Sequence, residues 1–110
     1  MKKLKFAYPL PELVLNSLKD TTWRLNDEKE LSVNDELSLC YGDGENKERE
    51  FGKAKIIWIK ETTFENLTKE DKEGHEKFNS EEEMYKTYSR YYNIEVKPET
   101  KLKVVKFKLL

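Results

Sequence analysis

Apolar and polar positions alternate with period two at both ends of the chain and change to a helical spacing in between. Residues Lys2 to Phe6 put Leu4 and Phe6 on one face and predict a first strand. Pro9 and Pro11 follow. Pro11 suits the first turn of a helix, and Leu13, Val14 and Leu18 recur at helical spacing, so a short helix is expected from Pro11 to Leu18. Thr21 to Leu25 reads as extended, and Asn26 to Ser32 as a charged loop. Asn34-Asp35 predicts a tight turn, since both residues tolerate left-handed backbone. Leu37, Leu39 and Tyr41 alternate as the next strand. Gly42-Asp43-Gly44-Glu45-Asn46 predicts a hairpin tip. Phe51 to Glu61 returns as a long strand, whose apolar run Ile56 to Ile59 implies burial on both faces.

The second half changes period. Thr62 or Thr63 is expected to cap a helix that starts near Phe64 and stops at Gly74. Ser80-Glu81-Glu82-Glu83 has the form of a capping box. The helix after it carries Met84, Tyr88, Tyr91 and Tyr92 on its apolar side and ends near Asn93. Beyond Pro98, Leu102 to Leu109 predicts a terminal strand, with Val105, Phe107 and Leu109 opposing Leu102 and Val104. The order β, α, several β, two α, β implies an α+β domain. Its small mixed sheet is expected to close into a barrel of five to six strands, with two to three short helices on the rim.

Composition narrows the picture. A chain of 110 residues is one domain, residues 1–110, with enough length for a single core. Charged residues make up 39% of it, yet the 21 basic and 22 acidic residues leave a net charge of -1. No global basic field exists to hold nucleic acid, so such binding requires a local patch. No apolar run approaches the ~20 residues of a membrane span, and no membrane partner is expected. The start, Met1 to Phe6, lacks the apolar region of a secretory signal. A single cysteine, Cys40, rules out an internal disulfide and a Cys-based zinc site; it reads as a small buried residue in a reducing, cytoplasmic setting. Glutamine is absent while Lys and Glu abound, a thermophile-like composition.

The candidate chemistry lies in Lys19-Asp20-Thr21-Thr22-Trp23-Arg24. A strand here places Thr22 and Arg24 on one face and Thr21 and Trp23 on the other. Cationic donors then share a surface with a hydroxyl while the indole enters the core, a receptor for an anionic or amide-bearing ligand. The competing reading pairs Lys19 and Arg24 with surface carboxylates such as Asp20. His75, the only histidine, reads as a helix-end or solvent residue, and Trp23 and Trp58 as core. Asp71, Glu73 and Glu76 lack a spacing that fixes a cation site, so neither metal nor cofactor is expected. Tyr88 and Tyr92 share a helix face, which leaves Tyr85 or Tyr91 for the surface. Lys101, Lys103, Lys106 and Lys108 form a basic ribbon, read either as edge-strand lysines that block aggregation or as phosphate contacts. The charged runs Lys69 to Glu76 and Glu81 to Glu83 read as solvated helical faces.

Lys19-x-x-Thr22-x-Arg24, a turn at Asn34-Asp35, a long strand, two helices and a final strand resemble the ASCH domain family, whose members have a PUA-like fold. Ser17 stands where that family usually has glycine, and Asn34 where it has the turn glycine. Asp71-Lys72-Glu73-Gly74-His75 with Ser80-x-x-Glu83-Met84 is similar to the family's acidic segment and capped helix. The resemblance implies a cleft lined by Lys19, Thr22 and Arg24 that binds RNA, a nucleoside or a nucleotide. Some bacterial members remove the acyl group of N4-acetylcytidine with a lysine, a threonine and a glutamate. Lys19 and Thr22 match the first two, and Glu73 is the best match for the third, with Glu70, Asp71 and Glu76 open. In that alternative Lys19 is base or nucleophile, Thr22 the oxyanion donor and Glu73 the proton shuttle of an amidohydrolase. A pure interaction domain is the third reading, and a monomer is the expected state.

Overall fold

A computed structural model describes residues 2–6, 10–16, 19–25, 29–41 and 49–110. Its strands are β1 (Lys2–Phe6), β2 (Thr21–Arg24), β3 (Glu36–Tyr41), β4 (Arg49–Thr63) and β5 (Lys101–Leu109), and its helices α1 (Leu10–Leu15), α2 (Lys69–Lys72) and α3 (Glu81–Tyr92). The strands form one sheet in the order β1-β3-β4-β5-β2, with β1 parallel to β3 and the other pairs antiparallel. It curls into half a barrel. The early part of β4 pairs with β3 and its later part with β5, meeting both at Ala54 and Lys55. The hairpin tip expected at Gly42 to Asn46 lies outside the described residues, as do Pro9, Ser17, Leu18 and residues 26–28 of the charged loop.

Two apolar clusters, rather than a single core, lie on the two faces of this sheet. Leu4, Phe6, Val14, Leu31, Leu37, Leu39, Ala54, Ile56, Val105 and Phe107 pack on the inner face. Trp23, Phe64, Met84, Tyr88, Val96, Leu102 and Val104 pack beneath α3. β5 supplies both, its alternation sending Val105 and Phe107 one way and Leu102 and Val104 the other. β5 is therefore interior and β1 and β2 are the edges, which removes the edge-strand reading of the lysine ribbon. Its four lysines also divide, Lys101 and Lys103 falling on one strand face and Lys106 and Lys108 on the other.

β4 departs from its expected double burial. Ile56 is buried, but Ile57 and Trp58 are 47% and 41% exposed, so Trp58 is not a core residue. The register with β5 shifts between Ile56 and Trp58. One extra residue there changes which face each following side chain takes.

The helix expected from Phe64 to Gly74 is broken in two. Thr63 makes no side-chain cap, and Phe64–Asn66 is a single 3-10 turn. Thr68 is the working cap: its hydroxyl accepts from the Asp71 amide while the Asp71 carboxylate accepts from the Thr68 amide. α3 starts as expected, with Ser80 accepting from the Glu83 amide, and ends at Asn93 in left-handed conformation. The Glu83 carboxylate reaches the Asn79 amide, one residue before the cap. The Asn34-Asp35 turn also stands where expected. Asn34 has φ 76°, and Asp35 accepts from Lys2 Nζ at 2.7 Å and from the Ser32 amide at 2.8 Å. Cys40 is buried and unpaired, as its flanking strand pattern suggests.

Candidate functional site

The edges β1 and β2 face each other across the opening of the half barrel. Arg24 of β2 bridges it, its Nη2 donating to the Lys5 carbonyl of β1 at 3.2 Å. A cavity of about 260 Å³ occupies this seam, lined by Lys5, Phe6 and Leu10, by Lys19, Thr22, Trp23 and Arg24, and by Glu76, Tyr88, Tyr91 and Tyr92. The strand alternation of Thr22 and Arg24 thus brings both to one cavity, and Lys19, just before β2, joins them.

Lys19 is 2% exposed. Its Nζ donates to the Thr21 carbonyl at 2.6 Å and to Glu76 Oε1 at 3.2 Å. Nζ also lies 3.2 Å from Glu76 Oε2, which is buried and accepts no hydrogen bond among the described residues. Burial lowers the Lys19 pKa from 10.5 to about 8; Glu76 opposes that fall and the Arg24 guanidinium adds to it. For Glu76, burial pushes the pKa up, but His75 and Lys19 outweigh it and hold the carboxyl below its ordinary value.

Glu73, the expected third member, is exposed at the end of α2, where its backbone N–H bonds to the Lys69 carbonyl. Glu70 is exposed as well, and Asp71 is buried against Lys60 and Thr68. Glu76 is the carboxylate that reaches Lys19. Gly74 explains the path of the chain. It has φ +78°, and a Cβ there would lie 1.9 Å from Asp20 Oδ1. Its carbonyl accepts from the amides of Asp20 at 2.9 Å and Thr21 at 3.2 Å. The loop after α2 is thereby tied to the start of β2, which sets Glu76 beside Lys19.

His75 is buried, not a solvent or helix-end residue. Its ring stacks on Trp23 with centroids 3.7 Å apart at an interplanar angle of 17°. Nδ1 lies 2.8 Å from the Glu76 carbonyl, to which it donates when protonated. Nε2 meets the Tyr88 hydroxyl at 2.8 Å and lies 2.6 Å from Glu76 Oε1. Burial lowers the His75 pKa, with Glu76 opposing it. A lone histidine in a charged segment has no periodic signature, so only the placement of its neighbours could reveal this role. Among the tyrosines, Tyr88 is buried, Tyr92 stacks on it at 6.3 Å, and Tyr91 is 59% exposed on the cavity rim.

No protein-family model matches the sequence, and no curated protein matches it. Solved structures do. The hypothetical protein PH0355 superposes with a TM-score of 0.72 at 23% identity over the full length of both chains. The ASCH domain from Lactobacillus crispatus JV V101 gives 0.65 at 15% identity, covering 90% of this chain and 69% of that one. ASCH from Zymomonas mobilis gives 0.67 at 9% identity, covering 96% of this chain and 65% of that one. This chain has an ASCH-like fold. In it, the seam between the two sheet edges is where Lys19, Thr22, Arg24 and Glu76 converge. No helix among the described residues is long and apolar enough to cross a membrane.

Proposed function

We propose that the cavity binds an N-acylated pyrimidine nucleoside and hydrolyses its amide. The observation that supports this most directly is the buried Lys19–Glu76 pair on the wall of a cavity that also contains Thr22. A lysine with a pKa of about 8 is about nine-tenths ammonium at pH 7. Its Nζ meets the Thr21 carbonyl and both oxygens of Glu76, and a substrate oxygen entering the cavity would compete for one of these donors. Among the described residues Glu76 Oε2 has the Lys19 amine at 3.2 Å but accepts no hydrogen bond, and buried acceptors of this kind are satisfied by a water or a ligand.

In this reading Glu76 takes a proton from a water as the water oxygen bonds to the acyl carbon. Charge then develops on the former carbonyl oxygen, where the Lys19 ammonium and the Thr22 hydroxyl donate. As the C–N bond breaks, Glu76 returns the proton to the leaving nitrogen. The products are a carboxylic acid and the free exocyclic amine. Lys19 here acts as a cation rather than as the base or nucleophile.

Incubation with N4-acetylcytidine and detection of cytidine tests the reading. The wild type is expected to release cytidine and Lys19→Ala to lose turnover; a wild type that leaves the substrate intact removes it. A second reading, nucleotide or RNA binding without hydrolysis, draws on the exposed Tyr91 and on Lys5 at the same cavity. RNA affinity that falls with added salt, in a protein that releases no cytidine, selects that reading.

A further inference from the structure

Among the described residues the cavity wall carries three cationic side chains, Lys5, Lys19 and Arg24, against a single carboxylate, Glu76. That excess lies in a chain whose net charge is -1. Glu76 is matched to Lys19. Arg24 has no carboxylate partner among the described residues. Among the described residues a single N–H of its guanidinium is engaged, by the Lys5 carbonyl, and its Nε is buried with no hydrogen bond. A guanidinium left in this state is poised for an oxyanion, since a fork of donors matches a pair of phosphate or carboxylate oxygens.

Arg24 also lies over an aromatic ring. Its Cζ lies 5.8 Å from the centroid of Phe6, and Lys19 Nζ lies 5.9 Å from the same ring. One aromatic ring therefore holds both cations. Lys19 is drawn to one side by Glu76 and Thr21, and Arg24 to the other by the β1 backbone. A ligand whose amide sits at Lys19 and Glu76 extends toward Arg24 at the rim. About 260 Å³ is room for little more than one nucleotide.

We infer that the ligand of this cavity is phosphorylated: Arg24, with Lys5, forms a phosphate subsite, and the preferred substrate is an N-acylated pyrimidine nucleotide rather than the nucleoside. This rests on the amidohydrolase reading for the acyl group but not for the phosphate. The phosphate can belong to a free mononucleotide or to a nucleotide of an RNA chain. The chemistry recognised is the same in both.

Calorimetric titration with cytidine and with cytidine 5′-monophosphate separates the two claims, because neither ligand has an acyl group to hydrolyse. The monophosphate is expected to bind about tenfold tighter or better, with an advantage that shrinks as salt is raised. Arg24→Gln is expected to bring the two affinities together, and Arg24→Lys to keep part of the gap; thermal midpoints confirm that both variants fold. A short RNA containing one cytidine identifies the source of the phosphate: tighter binding than the monophosphate assigns it to a chain, and weaker binding to a free nucleotide. Equal affinities for cytidine and its monophosphate in the wild type, or a gap untouched by Arg24→Gln, overturn the inference. Hydrolysis of N4-acetylcytidine with no phosphate preference overturns it while leaving the amidohydrolase standing. A phosphate preference without hydrolysis does the reverse.

Discussion

Two lysine–carboxylate pairs draw their acids, Asp71 and Glu76, from one short segment, and they are built in opposite senses. In Lys60–Asp71 the carboxylate is buried and the amine is at the surface, with 1% and 32% of their side chains exposed. In Lys19–Glu76 the amine is buried and the carboxylate is on the cavity side, at 1% and 20%. The first pair completes a cap. Asp71 accepts from Lys60 at 2.8 Å and from the Thr68 amide at 3.0 Å, and its carbonyl accepts the Trp23 indole N–H. Burial pushes the Asp71 pKa up, but these bonds outweigh it and hold the group low. The second pair instead buries the cation and sets its carboxylate on the cavity wall. Nearly identical pairs thus differ in which partner is enclosed, and in the proposed reaction the first is structural and the second reactive.

Breaking the two pairs should separate these roles. The largest effect is expected from Lys19→Met, which fills the same space with an apolar chain. Turnover of N4-acetylcytidine should fall by about 10³ or more, a loss measurable by product release, because the oxyanion loses its cation. The pH dependence of kcat/KM sharpens the assignment. Activity that depends on the ammonium falls as pH rises through about 8, the Lys19 pKa. A rise through the same pH would make the free amine the base.

The same group has a stability signature. The unfolded lysine titrates near 10.5 and the folded one near 8, so between these values the unfolded chain holds more protons. Stability therefore rises with pH across that window, and the full burden of burying the cation is felt below pH 8. Denaturant melts at pH 7 and 10.5 should show the wild type gaining on Lys19→Met by on the order of 3 kcal/mol. No gain would mean that Lys19 is not desolvated.

The structural pair should behave otherwise. Asp71→Ala removes the cap and the ion pair and is expected to cost about 2 kcal/mol by denaturant melts while leaving folded-state turnover in place. Its contribution is complete above pH 3.8 and is lost as acid titrates the folded group below that value. Lys60→Ala, at a partly exposed amine, should cost no more than about 1 kcal/mol.

Much of the lysine–threonine–arginine face was legible because a strand has only two faces, and Trp23 needed one of them. Ser80 and Asn34-Asp35 were legible for a similar reason, as local bonds dictate those residue types. The acidic partner was not. Asp71, Glu73 and Glu76 share one charged run, and which turns inward depends on the Thr68 cap, the left-handed Gly74 and the stack of His75 on Trp23. The Thr68 cap is local, but the other two join segments some fifty residues apart in the chain, as does the bond from the Trp23 indole to the Asp71 carbonyl. Ile57 and Trp58 were misplaced for a related reason, since a bulge is specified by the neighbouring strand and not by the alternation it interrupts. The interior position of β5 likewise follows from its pairing with β2, which local pattern does not encode.

The most direct test sets Glu76→Gln beside Asp71→Asn and follows cytidine release from N4-acetylcytidine by both proteins at pH 7. The account predicts a loss of about a hundredfold or more in kcat for Glu76→Gln, and near wild-type kcat for whatever fraction of Asp71→Asn is folded. Equal rates from the two variants, or wild-type turnover by Glu76→Gln, would contradict it.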